Sequence, residues 1–209
     1  MEAKTIENTF EVKEGRTIIV VPHLEGKVDF VYSAFKGNYE SVGKQIREAG
    51  LIEPTPEKTA SLVYSAFENL DNKYAKDIEK IMKNNWLWMF NTIKYIPNKG
   101  ALIQKPDKNE ILVPFGYKIG MQSSLELSKN SFVIGLFGEE GTDKIAKVAD
   151  KYSNKPYLYS FENVDKEIVR KSALGGDWDF GYRLYVGGGD WGDNYNGHAF
   201  GVDALGKSK

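Results

Sequence analysis

The chain contains no cysteine. A disulfide framework and thiol catalysis are therefore excluded, although the compartment is not fixed by that absence. No run approaches the about 18 apolar residues of a membrane span. The first residues, MEAKTIENTFEVKEG, have no apolar core, so no secretory signal is expected. A strong charge of either sign is missing as well. The formal net charge is −1 and the pI about 6.2, so no basic field points to nucleic acid. Histidine is scarce, with two in 209 residues, and that length suits a single domain. The most informative absence is local. From Gly175 to Gly201 there is no Lys and no Glu, although both abound elsewhere, and Leu, Ile and Val are few. A stretch so poor in large aliphatics is expected to supply less than its share of core.

That same stretch, GGDWDFGYRLYVGGGDWGDNYNGHAFG, holds nine of the 21 glycines, seven aromatics, four Asp and two Asn. Gly, Asn and Asp accept positive φ and make tight turns. Tyr, Trp, Asn and Asp make adaptable contacts, and antibody combining sites use much the same alphabet. The stretch also echoes itself. Gly175-Gly176-Asp177-Trp178 with Tyr182 returns thirteen residues later as Gly188-Gly189-Asp190-Trp191 with Tyr195. Between them Tyr182–Val186 reads as a strand, and Ala199–Leu205 as another, joined by glycine-rich turns.

Upstream, Arg16–Pro22 is β-branched and reads as a buried strand. His23 after it reads as an ordinary loop residue. Val28–Phe35 is a second strand or a helix start. Ser41–Gly50 reads as a helix with Gly50 at its stop. Thr55 and Pro56 are placed as N-cap and N1 of the next helix, and Lys73–Asn84 follows as a third. VYSAF at 31–35 returns at 63–67, but the flanks differ and no solenoid is implied. Trp86–Pro97 starts as aromatics near a helix end and turns to strand at Thr92–Ile96. Trp86 and Trp88 read as core aromatics rather than as a sugar-stacking pair. Ala101–Gln104 closes a hairpin, Ile111–Val113 is a strand and Ser123–Ser128 a helical turn. Ser131–Phe137 reads as a strand, with a turn at Gly138–Gly141 and a helix from Thr142. That turn matches neither glycine fingerprint for nucleotides, and its two glutamates would repel phosphate. Tyr157–Phe161 reads as a strand, and Asn163–Lys171 as a polar, helical connector. Strands and helices do not alternate regularly, so the class expected is α+β.

Four readings of the C-terminal stretch compete. It closes a sheet as a glycine-rich meander. It holds calcium through Asp177, Asp179, Asp190, Asp193, Asn194 and Asn196, although the EF-hand order is absent. It pairs carboxylates such as Asp190 and Asp193 for hydrolysis. Or it is a binding surface on a fixed scaffold.

The Gly-, Asn-, Asp- and Tyr-laden segment, with interspersed Trp and a terminal AFGV strand, resembles the variable region of target proteins of diversity-generating retroelements. LIEPTPEKTASLVYSAF, NNWLWMF, YIPNKG, GYKIG and FVIGLFGEEG resemble the constant part of archaeal members. The resemblance implies a C-type lectin-like α+β fold, related to that of formylglycine-generating enzymes, as one domain over 1–209. Residues 1–172 would be the constant scaffold and 173–203 the variable region. In that family adenines of a template are miscopied. Asn codons then become Asp, Tyr, Ser, Gly or His but never Lys, Glu or Trp, which fits the missing Lys and Glu. Trp178 and Trp191 would be framework. Asp177, Asp179, Tyr182, Tyr185, Asp190, Asp193, Asn194, Tyr195, Asn196 and His198 would contact the ligand. Ala199-Phe-Gly-Val202 departs from the G-F-R strand of bacterial and phage members. The function implied is non-enzymatic recognition of a protein or cell-surface ligand, without cofactor or metal. The chain would act in the cytoplasm or be held on a virion or cell by a partner. The alternatives are a carboxylate- or calcium-dependent hydrolase of glycans and a fixed interaction module.

Overall fold

The structure is a computed structural model that describes residues 10–13, 17–24, 26–106, 109–177, 182–190 and 192–203. It is a mixed α+β fold. The first strands, β1 (Glu11–Lys13), β2 (Ile18–His23) and β3 (Gly26–Val31), form a small antiparallel sheet. Then come β4 (Phe35–Gly37), α1 (Tyr39–Glu48), α2 (Pro56–Phe67) and α3 (Lys73–Asn84). The strands β5 (Trp86–Ile96), β6 (Gly100–Gln104), β7 (Glu110–Pro114) and β8 (Gly120–Met121) precede α4 (Ser124–Ser128) and α5 (Ser131–Ala149). The chain ends with β9 (Asn154–Tyr159), β10 (Ile168–Asp177), β11 (Arg183–Asp190) and β12 (Gly197–Ala199).

The helices begin where the sequence offers caps. Thr55 accepts the Lys58 N–H at the start of α2, with Pro56 in the first turn, where a missing N–H costs nothing. Asn72 caps α3, and Ser123 with Glu126 forms a capping box on α4. Gly50, just past α1, takes a φ of 71°.

The nine-stranded sheet runs β4-β12-β5-β10-β11-β9-β8, with β6 and β7 continuing from the far half of β5. Its order explains the burial of β5, which has neighbours along both edges. Leu87, Met89, Ile93 and Tyr95 face the larger core, shared with α2, α3 and α5. Trp88 and Phe90 face a smaller core with Val42 and Ile46 of α1.

Several expectations are corrected. Ser131–Phe137 is helical, the first half of α5, which kinks at Gly138 (φ 68°, ψ 172°). Trp86 begins a strand, not the end of a helix. The connector at 163–171 turns into β10 at Ile168. The terminal strand is only Gly197–Ala199, with an isolated bridge at Val202 to Phe30 and Ile52. The Gly175–Gly201 stretch is not poor in core. Leu184, Val186, Ala199 and Phe200 are all buried, because β11 and β12 lie inside the sheet. Its glycine runs are strand, not turn: Gly175 and Gly176 in β10, Gly187, Gly188 and Gly189 in β11.

Candidate functional site

The pairing of seven strands brings one set of residues into a single row. Met121 pairs with Tyr157, Tyr157 with Tyr185, and Tyr185 with Gly175. The row continues through Trp86 and Gly197 to Gly37. Paired residues on adjacent strands share a face, so the row lies on the Trp88 side of the sheet. In the smaller core α1 packs against β4, β12, β5 and β10, with Ala173 its last sheet residue on that side. Beyond it the face is less covered. Met121 is 58% exposed and Tyr159 is 41% exposed, while Tyr157 and Tyr185 are half-buried.

The tyrosine rings are arranged as a strip. Tyr157 and Tyr185 lie 2° from parallel with centroids 6.2 Å apart, and Tyr159 and Tyr185 lie 22° from parallel at 6.2 Å. Parallel rings so far apart are offset sideways, not eclipsed. Glycine makes this possible. A Cβ on Gly189 would come 2.3 Å from the Tyr159 ring, and one on Gly187 2.7 Å from the Tyr185 ring. The rings occupy the space that side chains on β11 would fill. Lys155 is exposed, and Arg183 is half-buried with an Nε that lacks a hydrogen-bond partner among the described residues. By strand alternation Arg183 shares the face of Tyr185.

The residues expected to contact a ligand fall into three groups. Tyr182 (65% exposed, φ 55°) and Tyr195 (72% exposed) project into solvent, and Asp193 and Asn196 are exposed as well. Tyr182 lies just before β11 and Asn196 just before β12. Gly175 and Gly197 flank Trp86 on one level, so both segments emerge at the same end of the sheet. The second group is committed to local structure. Asp190 Oδ1 accepts the Gly192 N–H at 2.7 Å, and the Gly192 carbonyl accepts the Tyr39 N–H at 2.9 Å. Asn194 Oδ1 accepts the Asn196 N–H at 2.8 Å, an Asx turn. His198, paired with Lys36 and Leu87, is half-buried, and its Nδ1 is buried without a partner among the described residues. Burial pushes its pKa below the usual imidazole value, and the Lys36 charge adds to that. In the third group Trp178, Asp179 and Trp191 lie outside the described residues, as does the Asp177 side chain. The Asp177 backbone ends β10 opposite Arg183.

Sequence reading missed Tyr157, Tyr159 and Met121. The signal for the two tyrosines lies in the alternation Lys155, Tyr157, Tyr159 against buried Pro156 and Leu158. Trp86 matches its core reading in part, since it packs against the smaller core. It is half-buried, in edge contact with Trp88 at 6.3 Å, and its Nε1 has no partner among the described residues. Trp88 matches its core reading, fully buried with its Nε1 donating to the Gly37 carbonyl at 3.0 Å. Among the described residues no group of three or more His, Asp or Glu is disposed to hold a metal ion. No described helix is long and apolar enough to cross a membrane. The sequence matches no protein-family model and no curated protein, and no solved structure matches the fold.

Proposed function

We propose that this chain is a ligand-binding protein of the retroelement-diversified type, with a C-type lectin-like fold and a combining face that binds without chemistry. Its combining face is the tyrosine strip together with the exposed ends of the C-terminal segment. The observation that carries the reading is the in-register row Met121–Tyr157–Tyr185–Gly175–Trp86, with Tyr182 and Tyr195 emerging at the same end of the sheet. Aromatic side chains held on strands lose little entropy on binding and bring large contact area. Tyr185, Tyr182 and Tyr195 come from the variable segment, and Trp86, Tyr157 and Tyr159 from the constant scaffold. The partner this face suits is a protein or cell-surface ligand.

The reading requires the exposed positions to tolerate change. A display library randomised at Tyr182, Asp193, Tyr195 and Asn196 tests this. Most members should fold with melting temperatures near the parent's, and binders to arbitrary protein targets should be selectable from it. In any selected binder, Tyr157→Ala with Tyr159→Ala should weaken binding by about 1–2 kcal/mol or more. A library that largely fails to fold would contradict the proposal, as would binders indifferent to the tyrosine strip.

A further inference from the structure

A second cluster lies where the β2–β3 turn, α2 and the middle of α5 meet, on residues the tyrosine face does not use. A cavity of about 250 Å³ there is lined by His23, Leu24, Ser61, Phe137 and Lys144, and by the turn Gly138–Gly141. That volume is below the ~300 Å³ at which drug-sized pockets begin, so an occupant would be small.

The hydrogen bonds in this cluster have a direction. Lys144 Nζ lies 3.0 Å from Ser61 Oγ, and an ammonium can only donate. Ser61 Oγ therefore accepts there, and its own hydrogen is left for His23 Nδ1, also at 3.0 Å. When Ser61 gives that hydrogen to Nδ1, His23 is neutral with its proton on Nε2. Its surroundings favour that state. Burial lowers its pKa, the Lys144 and Lys58 charges lower it further, and Glu140 and Glu57 oppose them. Glu140 bonds Lys144 at 2.6 Å, which holds the Glu140 carboxyl below the usual range. Lys144 donates to both Ser61 and Glu140, so the base of the cluster is His23.

The backbone adds a third element. At Gly138 (φ 68°) α5 breaks, and Glu139 begins a second helical segment. The first amides of a helix have no acceptor within it, and Gly138–Gly141 line this cavity beside Ser61. Leu24, next to His23, holds a φ of 50°, a left-handed conformation that a branched side chain seldom adopts.

We propose that Ser61 is a reactive serine, with His23 as its base and Lys144 steadying the developing alkoxide, in a cavity that takes a small ester. Ser61 Oγ attacks the ester carbonyl carbon, and the hydroxyl proton passes to His23 Nδ1. The amides at the start of the second half of α5 are the donors for the tetrahedral oxyanion. The bond from carbonyl carbon to alcohol oxygen breaks, and the alcohol leaves with the proton from His23. Water then attacks the acyl-Ser61 carbonyl, giving its proton to His23, and the carboxylic acid departs as Ser61 recovers its hydrogen. This activity is independent of binding at the tyrosine face.

The test uses the full chain with a fluorophosphonate probe, whose P–F bond breaks as an Oγ–P bond forms, and with p-nitrophenyl acetate. Intact-mass and peptide mapping should find one adduct, on Ser61, and its rate should rise with pH as His23 loses its proton. Ser61→Ala should lose both the adduct and the release of nitrophenol. His23→Gln should slow both by about 100-fold or more. Three results would overturn the proposal: a wild-type chain unlabelled after prolonged exposure at pH 8, an adduct on another residue, or His23→Gln reacting at the wild-type rate. The site of the wild-type adduct is read without any variant, so the test stands even if Ser61→Ala folds poorly.

Discussion

Gly188 and Gly197 are held by their neighbours. A Cβ on Gly188 would lie 2.3 Å from the Phe132 ring, and one on Gly197 2.0 Å from Trp88 Nε1. Both rings are fully buried, so neither can move aside cheaply. Gly188→Ala and Gly197→Ala should each cost about 1–3 kcal/mol in urea unfolding, the usual range for overpacking. Tyr195→Ala, at a position 72% exposed, should stay within about 0.5 kcal/mol of wild type. Equal effects at all three sites would mean that the Phe132 and Trp88 rings give way to a methyl group. Composition alone could not separate these roles. A glycine-rich sequence reads the same whether the missing Cβ permits positive φ or makes room for a ring, and here Phe132, Trp88 and Tyr159 arrive from distant elements.

Among the elements, α5 is the most instructive. Its two halves meet at Gly138, whose φ of 68° an L side chain would strain to adopt. Nothing lies within 4 Å of a Cβ there, so Gly138→Ala would act through the backbone alone. The expected cost is about 1–3 kcal/mol, read by denaturation, and the cavity beside Ser61 should change shape with it. A neutral Gly138→Ala would show that the kink is soft. The legible elements were those with chemical punctuation: Thr55-Pro56 before α2, Asn72 before α3, Ser123 with Glu126 at α4. The misread ones lacked a usable period. Ser131–Phe137 and Trp86–Phe90 are short apolar runs in which helix and buried strand look alike. β10 was hidden because buried Arg170 and Ser172 occupy core-facing positions, which inverts the pattern expected of a strand.

For the whole molecule, the α+β class followed from irregular element order, but the neighbours of β5 did not, because strand order is set by contacts far apart in sequence. Its consequence is that a row from Met121 to Gly37 collects residues from across the chain. Acid stability is also a property of the whole fold, since its two histidines report on two separate regions. Both His23 and His198 have pKa values lowered by burial. In the unfolded chain each returns to about 6.5. Between the lowered folded value and 6.5 the unfolded state binds more protons, so stability is full above 6.5 and falls as the pH drops through that window. The melting temperature should therefore decline from pH 7.5 to pH 5. A His23→Gln, His198→Gln variant should flatten the decline. Glu126, held near a pKa of about 2 by Lys118 and Ser123, contributes its loss only at lower pH.

The central claim is that a fixed scaffold presents a surface that is rewritten by a retroelement. The DNA around the gene tests it most directly. The account predicts a near-copy of the codons for residues 173–203 that differs at adenines, beside a reverse-transcriptase gene, with the differences at the codons for exposed Tyr182, Asp193, Tyr195 and Asn196 and half-buried Tyr185. The codons for Gly187, Gly188, Gly189 and Gly197 should be unchanged, since their missing side chains make room for rings. An intact locus with no such copy, or a copy whose changes fall on those glycines, would contradict the account.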